Sequence, residues 1–149
     1  AKDADRCLVE SGSEAGTLYF LSDRDPAGGF DVYRTTFDQK TGTYRAPVPV
    51  PELNSPVEEF KIVIRADGLE AFIGSSRSEN NRDIWVSTRA RDTDPWGPPV
   101  NLGPGVNSTA QDAPGSLSYD GTTLYFQSSR TPGGLGSGDI WMVQRQRLN

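Results

Sequence analysis

A short apolar segment followed by the pattern Ser-x-Arg occurs three times in this chain, with 53 residues between successive copies. The copies begin at Leu18, Ala71 and Leu124. In each copy, a serine lies four positions and an arginine six positions after the first residue. A repeat at a fixed period indicates that the chain builds one structural unit several times. No feature of the sequence constrains the fold more strongly than this one.

Further matches extend the repeat over most of the chain. An Asp followed by two apolar or aromatic residues comes after each Ser-x-Arg, and an aromatic-to-Pro-Val segment, an Asn-Ser pair and an Asp-Gly pair each occur twice. The matching residues are 31–33, 83–85 and 139–141; 44–48 and 96–100; 54–55 and 107–108; and 67–68 and 120–121. The first copy has the weaker match 14–16 where the others have Asp-Gly.

Each unit is predicted to contain four short strands. The Asp-Gly pair is a strong hairpin signal between the first strand and the second. The Pro-Val segment suits an outer edge strand, because proline cannot donate a ladder hydrogen bond. No stretch shows the apolar spacing of a helix. The chain is therefore predicted to be all-β.

Composition narrows the classes of function. The chain has 149 residues, the length of one domain. Its net charge of −5 argues against binding to a nucleic-acid backbone, and no apolar run is long enough to span a membrane. Because histidine is absent, the chain by itself lacks a Ser-His-Asp triad and a histidine zinc site. The single cysteine, Cys7, is interpreted as a buried strand thiol, and no metal or cofactor is expected.

The third unit resembles a known repeat family. Residues 124–130, 132–134 and 139–141, together with 96–102 of the second unit, are similar to the WD40-like (PD40) repeat of TolB-type β-propellers. The resemblance implies a six-bladed propeller, which is commonly bacterial and periplasmic or extracellular. Such propellers are often joined to peptidoglycan-binding or enzymatic domains, so the resemblance implies no single activity.

Three repeats of about 53 residues correspond to half of a six-bladed propeller. Blade 1 is expected at about 3–55, blade 2 at about 56–108 and blade 3 at about 109–149, all within one half-propeller domain. The third unit is expected to lack its outer strand. Two chains could pair into a six-bladed ring as a homo-oligomer, the sequence could be a portion of a longer protein, or the three units could form a capped structure of their own.

Two sets of charged residues recur with the repeat. The arginines that end the second strand and the aspartates that begin the third are expected to form structural ion pairs across one loop of each blade. These pairs are Arg24 with Asp31, Arg77 with Asp83, and Arg130 with Asp139. A second set precedes the innermost strands and could ring one mouth of a central channel, as candidates for binding. Its members are Asp5, Glu59 and Asp112.

The loop between the second and third strands varies between units, and variable loops on a constant scaffold commonly carry binding specificity. In the second unit this loop contains Asn80 and Asn81, which are candidate binding residues. The resulting hypothesis is a non-catalytic module that binds a protein or a glycan through its loop-bearing face. The alternatives are part of a catalytic propeller, such as a carboxylate-based glycosidase or lyase, and a purely structural, self-assembling half-propeller.

Overall fold

A computed structural model of the chain describes residues 2–9, 12–13, 16–25, 29–78, 81–132 and 134–146. Over these residues the chain forms three antiparallel sheets, one for each sequence repeat, and contains no helix. The prediction of an all-β fold is confirmed. Within the same residues no helix is long and apolar enough to cross a membrane.

The first sheet contains five strands. They are β1 (Asp3–Leu8), β2 (Thr17–Ser22), β3 (Asp31–Asp38), β4 (Thr43–Tyr44) and β5 (Val48–Pro49). The first four are hydrogen-bonded in sequence order. Strand β5 pairs with the same edge of β3 as β4 does, but nearer the start of β3. The outer edge is thus formed by two very short strands, as expected for a segment that contains prolines.

The second sheet has four strands and the third has three described strands. The second contains β6 (Glu59–Ile64), β7 (Glu70–Ser78), β8 (Asn81–Thr88) and β9 (Val100–Asn101), and the third contains β10 (Asp112–Leu117), β11 (Thr123–Ser128) and β12 (Asp139–Gln144). Both follow sequence order. Among the described residues, no fourth strand pairs with β12.

Strand register confirms the equivalence that the repeat predicts. Leu18, Ala71 and Leu124 lie in the second strand of their sheets, and each pairs on both sides at a corresponding position. The predicted Asp of each third strand lies opposite the serine of Ser-x-Arg, and it is the first residue of β3 and β12, whereas β8 begins two residues earlier, at Asn81.

The second sheet lies between the other two and is buried on both faces. Side chains alternate along β6, so Ile62 and Ile64 join the first sheet's core while Val63 joins the third sheet's core. The core between the first and second sheets contains Val9, Tyr19, Leu21, Val32, Val50, Leu53, Ile62, Ile64, Ala71, Ile73 and Trp96. The core between the second and third contains Val63, Phe72, Ile84, Val106, Leu124 and Phe126.

Cys7 lies in β1 at the first of these cores. Its Sγ donates to the carbonyl oxygen of Ile62 at 2.9 Å. Burial raises the pKa of the Cys7 thiol, so the side chain is a weak nucleophile. This position agrees with a structural thiol, although the residue is partly rather than fully buried.

Candidate functional site

A carboxylate, a serine and an arginine meet at the same place in every sheet, and we call each set a carboxylate cluster. The carboxylate begins the first strand of the sheet, and the serine and arginine are those of Ser-x-Arg. The clusters are Asp3–Ser22–Arg24, Glu59–Ser75–Arg77 and Asp112–Ser128–Arg130. They form because antiparallel pairing places the carboxylate residue directly opposite the serine.

The arginine holds each cluster together. Arg77 Nη2 donates to Glu59 Oε1 at 2.8 Å, and Arg130 Nη2 donates to Asp112 Oδ1 at 2.8 Å. The Nε atoms of both arginines donate to the serine hydroxyl of their own cluster. Their guanidinium groups also lie over the rings of Trp85 and Trp141, at 5.4 and 5.1 Å from the ring centres. Aromatic stacking and hydrogen bonding therefore fix the arginines in position.

These contacts correct the predicted ion pairs. Arg77 and Arg130 pair with the first strand of their sheets rather than with Asp83 and Asp139. The reason is that Asp83 is already engaged, accepting hydrogen bonds from Ser78, Asn81 and Asn101.

The predicted partners in the first and third sheets also differ from the observed ones. Arg24 Nη2 donates to Asp3 at 2.9 Å rather than to Asp31. Burial raises the pKa of Asp31, and the nearby charge of Asp25 adds to this effect. Asp139 accepts a long bond from the Gly136 backbone, at 3.4 Å.

The predicted ring of channel carboxylates is corrected at one position. Asp3, not Asp5, is the equivalent of Glu59, because Asp3 lies opposite Ser22. A single period of 53 fails here because the connection after β1 is longer: Leu8 pairs with Leu18, ten positions on, whereas Ile64 pairs with Ala71, seven positions on.

Asp5 instead forms part of a β-bulge. Its φ is 39°, and its carboxylate binds Lys61 Nζ at 2.8 Å. It therefore links the first strand of one sheet to the first strand of the next.

Glu59 and Asp112 are fully buried, so neither faces an open channel. Their pKa values shift in opposite directions. Burial raises the pKa of Glu59 and outweighs its hydrogen bonds from Ser55, Arg77 and Ser75. Burial also acts to raise the pKa of Asp112, but hydrogen bonds from Ser128, Arg130 and Ser108 outweigh it and hold the pKa below its usual range. Both carboxylates are committed to structure.

The Asn-Ser pairs connect each sheet to the next, a role that the sequence did not suggest. Asn54 and Asn107 each accept from a backbone N–H and donate to the carbonyl of the same residue, which is Val32 for Asn54 and Ile84 for Asn107. The following serine then bonds the carboxylate of the next cluster. Ser55 Oγ donates to Glu59 at 2.6 Å, and Ser108 Oγ donates to Asp112 at 2.9 Å.

Of the two candidate binding residues in the loop of the second unit, Asn81 has a structural role. Asn81 Nδ2 donates to Asp83 at 3.1 Å and to the Ser108 carbonyl at 2.8 Å, so it fastens the loop to the next connection. Asn80 lies outside the described residues. Within the described parts of the chain, no group of three or more acidic or cysteine side chains could hold a metal ion.

Two surfaces remain open in the third repeat. One is a largely apolar cleft of about 230 Å³ between the second and third sheets, with Phe72, Leu102, Leu124 and Arg145 among its walls. The other is the outer face of the third sheet, where three large apolar or aromatic side chains are exposed: Tyr125 (42%), Ile140 (82%) and Met142 (60%). These surfaces, rather than the carboxylates, are the candidate interaction sites. Comparisons with protein-family models and with curated proteins found no match.

Proposed function

We propose that this chain is a non-catalytic binding and assembly module in which the three sheets are successive blades of a propeller. Two copies pair to close a six-bladed ring, and the variable loops at the sheet ends bind a protein or a glycan. The resemblance to the TolB-type repeat supports the propeller arrangement, and on that resemblance we infer a periplasmic or extracellular location in a bacterium.

The observation that carries this proposal is the exposed face of the third sheet. Ile140 is 82% exposed, whereas the equivalent residues Val32 and Ile84 are both 0% exposed. Those two are buried because another sheet packs on them. The same surface in the third sheet is apolar and uncovered, so it has the chemistry of a sheet-packing face. Burying an aliphatic side chain of this size stabilises by about 1.5–3 kcal/mol.

The first sheet offers a complementary opening. Asp3 and Arg24 form the one carboxylate cluster that no Asn-Ser connection reaches among the described residues, and the Asp3 side chain is 45% exposed. In a paired ring, the third blade of one copy would lie beside the first blade of the other, covering both surfaces together. A two-fold pairing repeats this contact twice.

A catalytic alternative has less support. A carboxylate-based glycosidase or lyase needs two carboxyl groups facing a cleft, about 5–10 Å apart. The two most buried candidates, Glu59 and Asp112, are each bonded to an arginine and to serines. We therefore assign Glu59 and Asp112 a structural role in the proposed module. A purely structural, self-assembling half-propeller differs from our proposal only in lacking a loop ligand.

Sedimentation velocity at micromolar concentration tests the proposal. We expect a species near 32 kDa, twice the chain mass of 16.2 kDa. Ile140→Glu or Met142→Glu should give a folded monomer, because a charge would be buried in the interface. Leu135→Glu is the matched control, since Leu135 is fully exposed in a loop. A monomeric native chain, or dimers unaffected by both face variants, would contradict the proposal.

A further inference from the structure

Trp96 shows how one sheet is sealed against the next. Its ring is buried between the first and second sheets, edge-on to Tyr19 with ring centres 6.2 Å apart. The guanidinium of Arg89 lies 4.1 Å from the centre of the indole ring. Arg89 is itself held by a bond from its Nε to the Gly68 carbonyl, at 2.7 Å. The aromatic residue of the second repeat thus fills a slot that two sheets and an arginine define.

The apolar cleft between the second and third sheets is the same slot one repeat later. Phe72 occupies the position of Tyr19, since both lie one residue after the matched Ala71 and Leu18. Arg145 occupies the position of Arg89, because its Nε donates to the Gly121 carbonyl at 2.8 Å. Both Phe72 and Arg145 line the cleft, which measures about 230 Å³. No described residue of the third repeat places an aromatic ring there.

The edge of β12 is open at the corresponding point. In the second sheet, the Ile84 N–H donates to Asn107 Oδ1 at 2.8 Å, and Asn107 Nδ2 donates to the Ile84 carbonyl at 2.9 Å. In the first sheet, Asn54 makes the same two bonds with Val32. Register makes Ile140 the third member of this series. In the part of the chain that the structure describes, no asparagine side chain reaches it.

We propose that this cleft and this edge together bind an extended peptide segment with the chemistry of residues 96–108. Its aromatic side chain enters the cleft and stacks on Arg145, its Pro-Val part adds a strand to β12, and its asparagine bonds the N–H and carbonyl of Ile140. The occupant is a peptide segment of this repeat type that belongs to another polypeptide. This mode of recognition is strand addition at a sheet edge. It continues the β3–β5 and β8–β9 pairings already present in the chain.

The first two repeats give the spacing within the segment: the asparagine contacts are made in both, and the aromatic ring is buried in the second, at Trp96, while Tyr44 of the first is 48% exposed. Asparagine follows the aromatic residue by ten positions in the first repeat, from Tyr44 to Asn54, and by eleven in the second, from Trp96 to Asn107. A binding segment therefore carries an aromatic residue, Pro-Val three and four positions later, and asparagine at position ten or eleven. The aromatic residue binds in the cleft and the asparagine binds at the edge of β12. A peptide must match both positions at once, and this requirement makes the site selective.

The outer edge and the cleft are distinct from the open face of the third sheet, so peptide binding can hold or fail independently of self-association. The test is a titration of the full ¹⁵N-labelled chain with a synthetic peptide of residues 96–108, followed by NMR up to about 1 mM peptide. We expect a saturable shift of the Ile140 amide and of the Arg145 Nε–H signal. The Ile84 amide is the internal control and should not move, because Asn107 already covers it.

Matched peptides decide the outcome. Peptides carrying Asn107→Ala or Trp96→Ala should bind at least about tenfold more weakly, since each loses one anchor. In the chain, Arg145→Ala should weaken binding of the unaltered peptide at least about threefold through loss of ring stacking. The absence of a saturable Ile140 shift would overturn the proposal. So would equal binding by the unaltered and the Asn107→Ala peptides.

Discussion

The carboxylate clusters provide a comparison of one interaction in two environments. Asp112 is fully buried, whereas the side chain of Asp3, its equivalent in the first sheet, is 45% exposed. Replacing each with asparagine removes the charge and keeps the size of the side chain. We expect Asp112→Asn to destabilise the chain strongly and Asp3→Asn to have little effect.

The magnitudes follow from the contacts. Asp112 accepts from Arg130 Nη2 at 2.8 Å, from the Ser108 N–H at 2.7 Å and from Ser108 Oγ at 2.9 Å. Removing one partner of a buried ion pair costs about 3–5 kcal/mol, because the other charge remains buried without its counterion. Asp3 contacts Arg24 at a partly exposed site, where an ion pair contributes about 0–1 kcal/mol.

Urea unfolding of the two variants and the native chain measures both losses. Its pH dependence provides a second check. Hydrogen bonds hold the pKa of Asp112 below its usual range, so its contribution is present above the unfolded-state pKa of about 3.9 and is lost as pH falls. The difference between the native chain and Asp112→Asn should therefore shrink below about pH 4. Equal losses for Asp112→Asn and Asp3→Asn at pH 7 would refute the reasoning.

Two further predictions concern neighbouring positions. Burial raises the pKa of Glu59, so the ionised carboxylate is less favoured in the folded chain than in the unfolded chain. Glu59→Gln should therefore cost less stability than Asp112→Asn at pH 7, and its cost should fall as pH rises above about 4. A parallel pH trend for the two variants in urea unfolding would contradict this. Gly74→Ala should destabilise by about 1–3 kcal/mol, because a Cβ there would lie 2.7 Å from an aromatic ring atom. Gly105→Ala has open space at its Cβ and serves as the control, expected within about 0.5 kcal/mol of the native chain in thermal melts. Equal melting shifts for the two glycine variants would show that the packing at Gly74 is not tight.

The strands can be predicted from the sequence because residues that the repeat matches occupy equivalent register positions in the three sheets. Once Leu18, Ala71 and Leu124 are matched, pairing along the second strand follows with a constant offset. The offset fails across the first hairpin, where three extra residues move the equivalent position from residue 6, next to Asp5, to Asp3. A loop can change length without moving the strands it joins, and a single fixed repeat length does not account for such a change.

The observed partners of the arginines differ from the expected ones for another reason. Asp83 and Glu59 both lie opposite Ser75, one on each neighbouring strand, so sequence spacing does not distinguish them as partners of Arg77. The choice is made by tertiary contacts. Ser78 and Asn101 occupy the Asp83 carboxylate, and Ser55, from the preceding connection, helps to place Glu59.

The Asn-Ser connections have a consequence for folding. Ser55 and the carbonyl of Leu53 complete the cluster of the second sheet, and Ser108 and the carbonyl of Val106 complete that of the third. If a connection detaches, the next sheet is left with a buried carboxylate and arginine that have lost hydrogen bonds, so its own unfolding becomes easier. Loss of one connection therefore destabilises the next sheet, and the three sheets should unfold as a single cooperative unit rather than one at a time.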